Sequence, residues 1–309
     1  MTSSASSTQH VVMWSGGITS WATAKIVVDR HGSENTTLLF ADTNYEDPDL
    51  YRWNTDAAAS LGMTITRVAD AQERTPWDVF RDKKYIGNTR IAPCSQLLKQ
   101  VPCREWLAEN RDPANTVVYV GIDWTETHRL PGVIAGYAHP LRGCDKQRCI
   151  GLFNEDGRLP GPGCKDLLDT PWTPQFPLTE KGFRRDKDEW IEEAERAGLT
   201  VPRLYGLGFP HNNCQGACIK AGQAQWARVL EVFPERYAAA EASEEAMRAD
   251  LGKDVAFLRD RRGGETKPLP LKLLRIRLEA DAEQQPGLFD DLDWGGCGCL
   301  ADLEIPELA

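Results

Sequence analysis

Short apolar runs alternate with stretches of helical periodicity along the first 130 residues. Residues 11–14 form an apolar run typical of a buried strand, and the apolar positions between Ile18 and Val27 share one helix face. The same pattern predicts a second strand in residues 36–44, a helix in "PDLYRWNTDAAASLGM", a third strand in "TITRVAD" and a fourth in residues 116–123.

Strands that alternate with helices predict a parallel sheet with right-handed crossovers, and therefore a doubly wound α/β fold. In such sheets ligands bind beyond the carboxyl ends of the strands. The Ser-Gly-Gly turn after the first strand, Asp42 and Asp123 all stand at such ends. We therefore expect these three features to face one crevice.

The join "WSGGITS" combines a strand end, a glycine turn and a helix start. Gly16 and Gly17 stand where a positive φ or a close backbone approach requires glycine. The free N–H groups and dipole of the helix start form a phosphate cradle, to which Ser15 and Ser20 add hydroxyls. A valine at position 17 would fill the phosphate space and forbid a positive φ. An ordinary strand-to-helix turn is the alternative.

The sequence pattern divides the chain into this core and four further regions. We assign residues 1–10 to a disordered start, 11–137 to the nucleotide-binding core and 138–177 to an insertion rich in cysteine, glycine and proline. Residues 178–265 form a helical region in which "DKDEWIEEAERAGL", "CIKAGQAQWARVLEVFP" and "ERYAAAEASEEAMRADLG" are the predicted helices. Residues 266–309 form the C-terminal tail.

Length, composition and charge limit the classes of protein to which this chain can belong. The chain has 309 residues, 41% of them apolar and ten of them tryptophan, which can furnish a sizeable core. The formal net charge of −10 gives no general affinity for nucleic acid. No apolar run approaches the ~20 residues of a membrane span, and the first ten residues lack the pattern of a signal peptide. We expect a cytoplasmic protein with no membrane partner.

Four ordered motifs in the first half resemble one known family. They are S-G-G-x-x-S from Ser15 to Ser20, "FADTNYEDPDLYRW", "CSQLLKQVP" and "GIDWTETHR". They resemble the phosphoadenosine phosphosulfate (PAPS) reductase-like branch of the PP-loop ATP pyrophosphatases. The resemblance implies a HUP, or adenine nucleotide alpha hydrolase-like, sheet that binds ATP with Mg²⁺.

The resemblance also implies roles for individual residues. It places Ser15, Gly16, Gly17 and Ser20 in the phosphate loop, Asp42 and Gly121 beside the nucleotide, and Lys99, Glu126 and Arg129 on the substrate side. Two positions depart from the family pattern. Ile18 and Thr19 replace a frequent Lys-Asp pair, so charge for the phosphates has to come from elsewhere. Asp123 replaces an arginine, which weakens the case for a nucleotide with a second phosphate group.

Nine cysteines are many for a reducing compartment, where clustered thiols more often hold metal than form disulfides. Cys214 and Cys218 are four residues apart, and on a helix both would share a face. The family precedent places Cys94 near such a pair. These three residues, with Cys103, Cys297 or Cys299 as the fourth ligand, are candidates for a 4Fe–4S cluster. The alternative is that they are buried core cysteines.

Three further features carry weaker hypotheses. Cys144, Cys149, Cys164 and His139 would form a zinc site within the insertion. His128 is a candidate acid or base beside Arg129. The run Arg259, Arg261 and Arg262 would bind the phosphates of a polymer, and a solvated turn is the simpler interpretation.

The later segments "RLYGLGFPHNNCQGACIKAGQAQW" and "LRDRRGGETKPLPL" resemble uncharacterised reductase-related proteins of actinobacteria and their phages, without established chemistry. Three functions stay open. The first is adenylation of an acceptor, namely a tRNA, DNA or a small metabolite, with release of pyrophosphate. The second is reduction of a sulfonucleotide by a tail cysteine, for which Cys297 is the catalytic candidate. The third is nucleotide sensing without turnover. A sulfur donor or reductase partner and a homodimer are further hypotheses.

Overall fold

The computed structural model describes residues 7–87, 92–139 and 170–284. Within these residues five strands form one parallel sheet, in the order β3-β2-β1-β4-β5. The strands are β1 Gln9–Trp14, β2 Thr36–Asp42, β3 Ile65–Ala69, β4 Thr116–Val120 and β5 Thr173–Gln175. The first four are the strands that the sequence pattern predicts. The fifth, on the far edge beside β4, was not predicted.

Nine α-helices of eight residues or more accompany the sheet in the described parts of the chain. They are α1 Ile18–His31, α2 Pro48–Ser60, α3 Pro76–Lys83, α4 Val101–Asn110, α5 Leu130–Ala138, α6 Lys187–Arg196, α7 Gln223–Val232, α8 Pro234–Leu251 and α9 Leu271–Gln284. A π-helical turn, Gln96–Gln100, leads into α4. Leu258–Asp260 and Lys267–Leu269 pair as a short antiparallel hairpin, β6 and β7.

Both faces of the sheet are covered, as the alternation of side chains along β1 shows. Val12 and Trp14 pack with α1, α2 and α6 on one face. Val11 and Met13 pack with α4 and α5 on the other. Successive side chains of a strand point to opposite faces, so the continuous apolar run of β1 requires a helical layer on each side. The predicted doubly wound α/β fold is confirmed.

The chain reverses its direction of travel across the sheet between β1 and β4. From β1 it moves outward through β2 to β3, and it then returns to place β4 on the other side of β1. The register pairs Trp14 with Phe40 on one side of β1, and Met13 with Val120 on the other. Such a switch point leaves a crevice beyond the carboxyl ends of the two central strands.

The helices that follow residue 203 have an apolar core that they share with α3. Trp226 of α7 lies 5.2 Å from Phe257 between ring centroids, and Trp77 of α3 lies 6.4 Å from the same ring. Leu98, within the π-helical turn, belongs to this core as well. The C-terminal helices therefore pack against the segment that carries Lys99, and this brings them to the edge of the crevice.

The helix predicted in "CIKAGQAQWARVLEVFP" begins later than its sequence indicates. The α-helix starts at Gln223, and residues 214–216 form a tight turn in which Cys214 and Gln215 have φ values of 52° and 57°. The expectation that Cys214 and Cys218 share a helix face is wrong. The physical reason is tertiary, because the Cys214 amide donates to a buried Glu46 carboxylate at 2.6 Å.

The buried Glu244 carboxyl predicts a pH-dependent stability. Burial raises the pKa of Glu244 to about 7, and the neighbouring Glu245 adds to the rise. Three groups oppose it: the Leu271 and Phe257 amides, which donate to the carboxyl, and the Arg248 side chain. A folded-state pKa above the unfolded 4.5 means that the native protein retains the proton between the two values. Stability is therefore lost as the pH rises from 4.5 to about 7, and it is constant above that range.

Glu244→Gln removes this titration while it keeps the size of the side chain. We expect the free energy of unfolding of the variant, relative to the wild type, to rise by about 2 kcal/mol between pH 5 and pH 8. Urea denaturation at three pH values measures it. Parallel curves for the two proteins would show that Glu244 does not titrate in this range.

Along the described residues, no helix combines the length and the apolar character that crossing a membrane requires.

Candidate functional site

A cleft of about 880 Å³, open to solvent, lies beyond the carboxyl ends of β1 and β4. Three groups of residues meet in it: the glycine turn, the end of β4 with the turn after it, and the segment between α6 and α7. Its lining residues include Ser15, Gly17, Thr19, Ser20, Lys99, Gly121, Asp123, Glu126, Arg129, Lys187, Tyr205, His211 and Asn212. The predicted crevice is present, and it is lined by seven of the nine residues to which the resemblance gives roles in the phosphate loop, beside the nucleotide or on the substrate side: Ser15, Gly17, Ser20, Lys99, Gly121, Glu126 and Arg129.

The two glycines of the turn meet different requirements. Gly16 has φ +77°, and a Cβ there would lie 2.9 Å from the Leu50 side chain. Gly17 is the N-cap of α1 with φ −98°, which any residue adopts, so the expected positive φ belongs to Gly16 alone. At Gly17 the requirement is space: a Cβ would lie 3.3 Å from the Tyr205 hydroxyl. The start of α1 thereby stays open toward the cleft.

Gly121, at the end of β4, lets that strand approach the start of α1. A Cβ at this position would lie 2.9 Å from the Thr19 carbonyl oxygen and 3.2 Å from the Ser20 nitrogen. Both are backbone atoms, which cannot move aside as a flexible side chain can. Ser20 is itself almost fully buried, and its Oγ donates to the Gly17 carbonyl at 2.7 Å. The turn is therefore fixed by close backbone packing.

Two side chains from a distant segment contact the turn directly. The Ile18 amide donates to the Tyr205 hydroxyl at 3.0 Å, and Asn212 Nδ2 donates to the Gly16 carbonyl at 3.0 Å. Asn212 is 1% exposed, and its Oδ1 has no hydrogen-bond partner. A hydroxyl that accepts from an amide can still donate its own proton. Tyr205 and Asn212 thus tie this segment to the glycine turn.

Asp47 anchors this segment to the start of α2. Its carboxylate accepts from both Arg203 Nε and Nη2, at 2.9 and 2.7 Å, and Arg236 Nη2 lies at 2.8 Å. Burial alone would raise the pKa of Asp47, but the Arg203 and Asp49 hydrogen bonds, with those from Arg236, hold the pKa below its usual value. The two guanidinium groups also lie over the Phe233 ring. The segment that carries Tyr205 is therefore firmly positioned.

Lys99 forms a buried ion pair with Glu46. Its Nζ lies 3.2 Å from Glu46 Oε1, and the two side chains are 7% and 0% exposed. Glu46 also accepts from Thr43 Oγ1 at 3.0 Å and from the Cys214 amide. Removing one partner of such a pair would leave a buried charge uncompensated. Glu46 therefore links the lysine of the cleft to the turn that carries Cys214.

Glu126 and Arg129 form an ion pair with each other on the turn that follows β4. Asp123 begins that turn as its N-cap, and its carboxylate accepts from the Thr125 amide at 2.8 Å. All three line the cleft, where the resemblance places Glu126 and Arg129 on the substrate side. His128, on the same turn, is exposed and does not line the cleft.

Asp42 does not line the cleft, although it ends β2. Its buried carboxylate accepts from Arg67 Nε at 2.8 Å and from the Tyr51 hydroxyl at 2.9 Å. Burial and this carboxylate raise the pKa of Tyr51 above its usual value. In this structure Asp42 holds α2 and β3 to the end of β2, and a role beside the nucleotide stays a prediction.

Cys94, Cys214 and Cys218 line a second pocket of about 430 Å³, which also borders Lys99 and Lys220. None of the three is in a disulfide. Burial raises the pKa of Cys94 to about 11, and the charges of Lys99 and Lys220 oppose that rise. The structure brings together the three thiols proposed as cluster ligands.

The three thiols do not converge on one point. Among the described residues, no group of three or more His, Cys, Asp or Glu side chains is arranged to hold a single metal ion. An iron–sulfur cluster carries its iron atoms at separate corners and needs thiolates spread around a pocket wall. The pocket combines three thiols with two lysine side chains, and cluster ligation by these thiols stays a prediction.

Other sequence candidates lie elsewhere. Cys103 lines the main cleft, packs in the core beneath β2 and β4, and does not border the cysteine pocket. His139 is fully buried, and its Nδ1 lies 2.7 Å from the Ala135 carbonyl. Arg259 and its neighbours lie at the β6–β7 hairpin, where Arg262 pairs with Asp260. The remaining cysteines lie outside the described residues: Cys144, Cys149, Cys164, Cys297 and Cys299.

Sequence reasoning missed Tyr205, Asn212, Lys187 and Glu46, all of which reach the turn, the cleft or its lysine. Tyr205 lies 187 residues beyond the amide that it contacts. Neither the periodicity nor the residue spacing of a sequence predicts such a contact. The single available signal was the loss of the Lys-Asp pair after the glycines, which required a charge from another part of the chain.

No family model matches this sequence, and no curated protein matches it significantly. Among solved structures, a similar one is the U34-tRNA thiolase NcsA from Methanococcus maripaludis with its 4Fe–4S cluster. The two chains are 16% identical, the alignment covers 79% of this chain and 71% of that one, and the TM-score is 0.39. At this level of similarity, the function of this chain has to follow from its own residues.

Proposed function

We propose that this protein is a PP-loop enzyme that binds ATP in the cleft and adenylates an acceptor with release of pyrophosphate. The observation that carries the proposal is the glycine turn itself. Gly16 takes a positive φ, Gly17 leaves the start of α1 open to the cleft, and Gly121 allows β4 to approach it. Backbone N–H groups at such a helix start, with the helix dipole, favour a phosphate group.

The cleft also has a wall suited to a base. Met13, Leu39, Ala41, Val120 and Ile122 contribute apolar lining at the ends of the strands. Sites for small molecules commonly pair an apolar lining with a few polar groups that fix orientation. A nucleotide with its base on the apolar side and its phosphates at the turn matches this division.

The reaction that we propose is nucleotidyl transfer at the α-phosphate of ATP. An acceptor oxygen attacks the α-phosphorus, the bond from that phosphorus to the bridging oxygen breaks, and the electron pair leaves with pyrophosphate. Lys99 and Arg129 line the same cleft, and each can help to stabilise the charge that develops while it stays paired with a carboxylate. A sulfur or nitrogen nucleophile then displaces AMP from the activated acceptor.

Two groups that the structure does not contain belong to this proposal. Mg²⁺ would neutralise the pyrophosphate, and it would reach the cleft on the nucleotide, because the cleft carboxylates Asp123 and Glu126 are engaged with Thr125 and Arg129. Cys94, Cys214 and Cys218 would hold an iron–sulfur cluster, which would supply sulfur or redox chemistry beside the cleft. Lys99 borders both pockets and connects the two.

Incubation with ATP labelled at the α-phosphate tests the reaction directly. We expect labelled AMP and an equal amount of pyrophosphate in the presence of the right acceptor, in a screen over tRNA, DNA and small metabolites. Lys99→Gln, which keeps a donor for the buried Glu46 carboxylate, should lower the rate by about 100-fold or more while ATP still binds, and thermal unfolding shows that the variant is folded. Lys181→Gln is a matched control, since Lys181 is exposed and does not line the cleft.

The same screen separates the alternatives. Release of sulfite from a sulfonucleotide, without pyrophosphate, would replace adenylation by a reductase. Binding of ATP without turnover on any acceptor would favour a nucleotide-sensing module, for which the missing Lys-Asp pair is the motivating observation.

A further inference from the structure

The glycine turn lacks a cation of its own. The residues from Ser15 to Ser20 are all uncharged. The first turn of α1 also contains no acidic residue. Backbone amides alone would have to balance a polyphosphate that carries three to four negative charges. Charge-assisted hydrogen bonds are roughly twice as strong as neutral ones. The cleft therefore needs a cation from another element.

Two of the cleft cations are already balanced within the protein. Lys99 is paired with Glu46, and Arg129 with Glu126. Each can serve a ligand only while it shares its charge with a carboxylate.

Lys187 differs from both. It is the first residue of α6 and lines the cleft, and its Nζ donates to the Pro210 carbonyl at 2.7 Å. Within the parts of the chain that the structure describes, no carboxylate lies within ion-pairing distance of its Nζ. Its partner is neutral, so the positive charge is not cancelled.

The position of Lys187 is fixed by its surroundings. Asp186 and Glu189 form a capping box at the start of α6, and the Trp124 indole donates to the Arg185 carbonyl at 3.2 Å. Further along α6, Trp190 packs in the same core as Ile18 of α1. The starts of α1 and α6 thus border one cleft, with the glycine turn at the first and the lysine at the second.

We propose that Lys187 binds the terminal phosphates of the nucleotide and supplies the charge that the glycine turn lacks. The proposal rests on the function proposed above, and it adds a specificity: the site selects nucleoside polyphosphates over monophosphates. When the nucleotide binds, the Lys187 ammonium donates to a phosphate oxygen, either in place of the Pro210 carbonyl or in addition to it. The alternative is a structural role, in which Lys187 only ties α6 to the segment that carries Asn212.

Lys187→Gln distinguishes these two roles. Glutamine keeps a donor for the Pro210 carbonyl but removes the charge, and Lys187→Arg keeps the charge. Lys181→Gln is the matched control, because it removes the same charge six residues earlier, outside the cleft.

Calorimetric titration of the full chain with ATP, ADP and AMP gives the readout, with binding rather than turnover measured. We expect Lys187→Gln to weaken ATP binding by about 10- to 100-fold and AMP binding by less than about 2-fold. Lys187→Arg should stay within about 3-fold of the wild type, and Lys181→Gln should be unchanged. The salt dependence of ATP binding should also become shallower in Lys187→Gln.

Three results would overturn the inference, and they differ from one another. Equal ATP affinity in Lys187→Gln and the wild type would show that the lysine takes no part in binding. An equal loss for ATP and AMP would show the structural role. A wild-type protein that binds none of ATP, ADP and AMP would overturn the proposed function itself, and the role of Lys187 with it.

Discussion

Gly17→Val is expected to abolish ATP binding in a protein that still folds. The backbone at Gly17, with φ −98°, accepts a valine without strain. Its side chain would press on the Tyr205 hydroxyl, which lies 3.3 Å from the Cβ position, and would fill the space in front of the Ile18 amide. Losing two or more hydrogen bonds to a charged phosphate corresponds to about 3 kcal/mol or more, or about 100-fold in affinity.

Calorimetry measures this loss, and thermal unfolding shows whether the variant is folded. Gly182→Val is the matched control, because a Cβ at Gly182 meets nothing within 4 Å and Gly182 does not line the cleft. Wild-type ATP affinity in a folded Gly17→Val protein would remove the glycine turn from the site.

The second large effect concerns the cysteine pocket. Protein purified without oxygen is expected to be brown and to contain about four iron atoms per chain, since thiolate-bound clusters absorb visible light. Cys214→Ser should lose most of the iron and the colour, because Cys214 lines the pocket with Cys94 and Cys218. Iron analysis and a visible spectrum record both.

Cys103→Ser is the control for this experiment. Cys103 is buried, as Cys214 and Cys218 are, and burial raises its pKa to about 12, but it does not border the cysteine pocket. It should therefore keep its iron, and the fourth ligand would come from Cys297 or Cys299. If the native protein contains no iron, the cluster hypothesis is wrong, and Cys94, Cys214 and Cys218 are core residues.

Local signals were sufficient for the first four strands of the sheet and for the turn. The apolar run of β1, the two glycines and the helical spacing of α1 lie within twenty residues of one another, and they act through backbone preferences that a sequence displays directly. Gly16 illustrates this: a positive φ at a strand-to-helix join requires glycine wherever the rest of the chain lies.

Contacts between distant segments were not predictable in the same way. The helical spacing of Cys214 and Cys218 indicated a shared face, but the buried Glu46 carboxylate holds the Cys214 amide in a turn instead. Tyr205 and Lys187 reach the cleft only because α6 and the segment after it fold back over α1. Such positions depend on packing, which periodicity does not encode.

A crystal structure of the full chain with a non-hydrolysable ATP analogue and Mg²⁺ tests the central claim most directly. We predict that the polyphosphate accepts hydrogen bonds from backbone amides at the start of α1, between Gly17 and Ser20, with Lys187 and Tyr205 beside it. The base should lie on the apolar side, near Leu39 and Val120. A nucleotide bound elsewhere, with the start of α1 contacting no phosphate oxygen, would contradict the account.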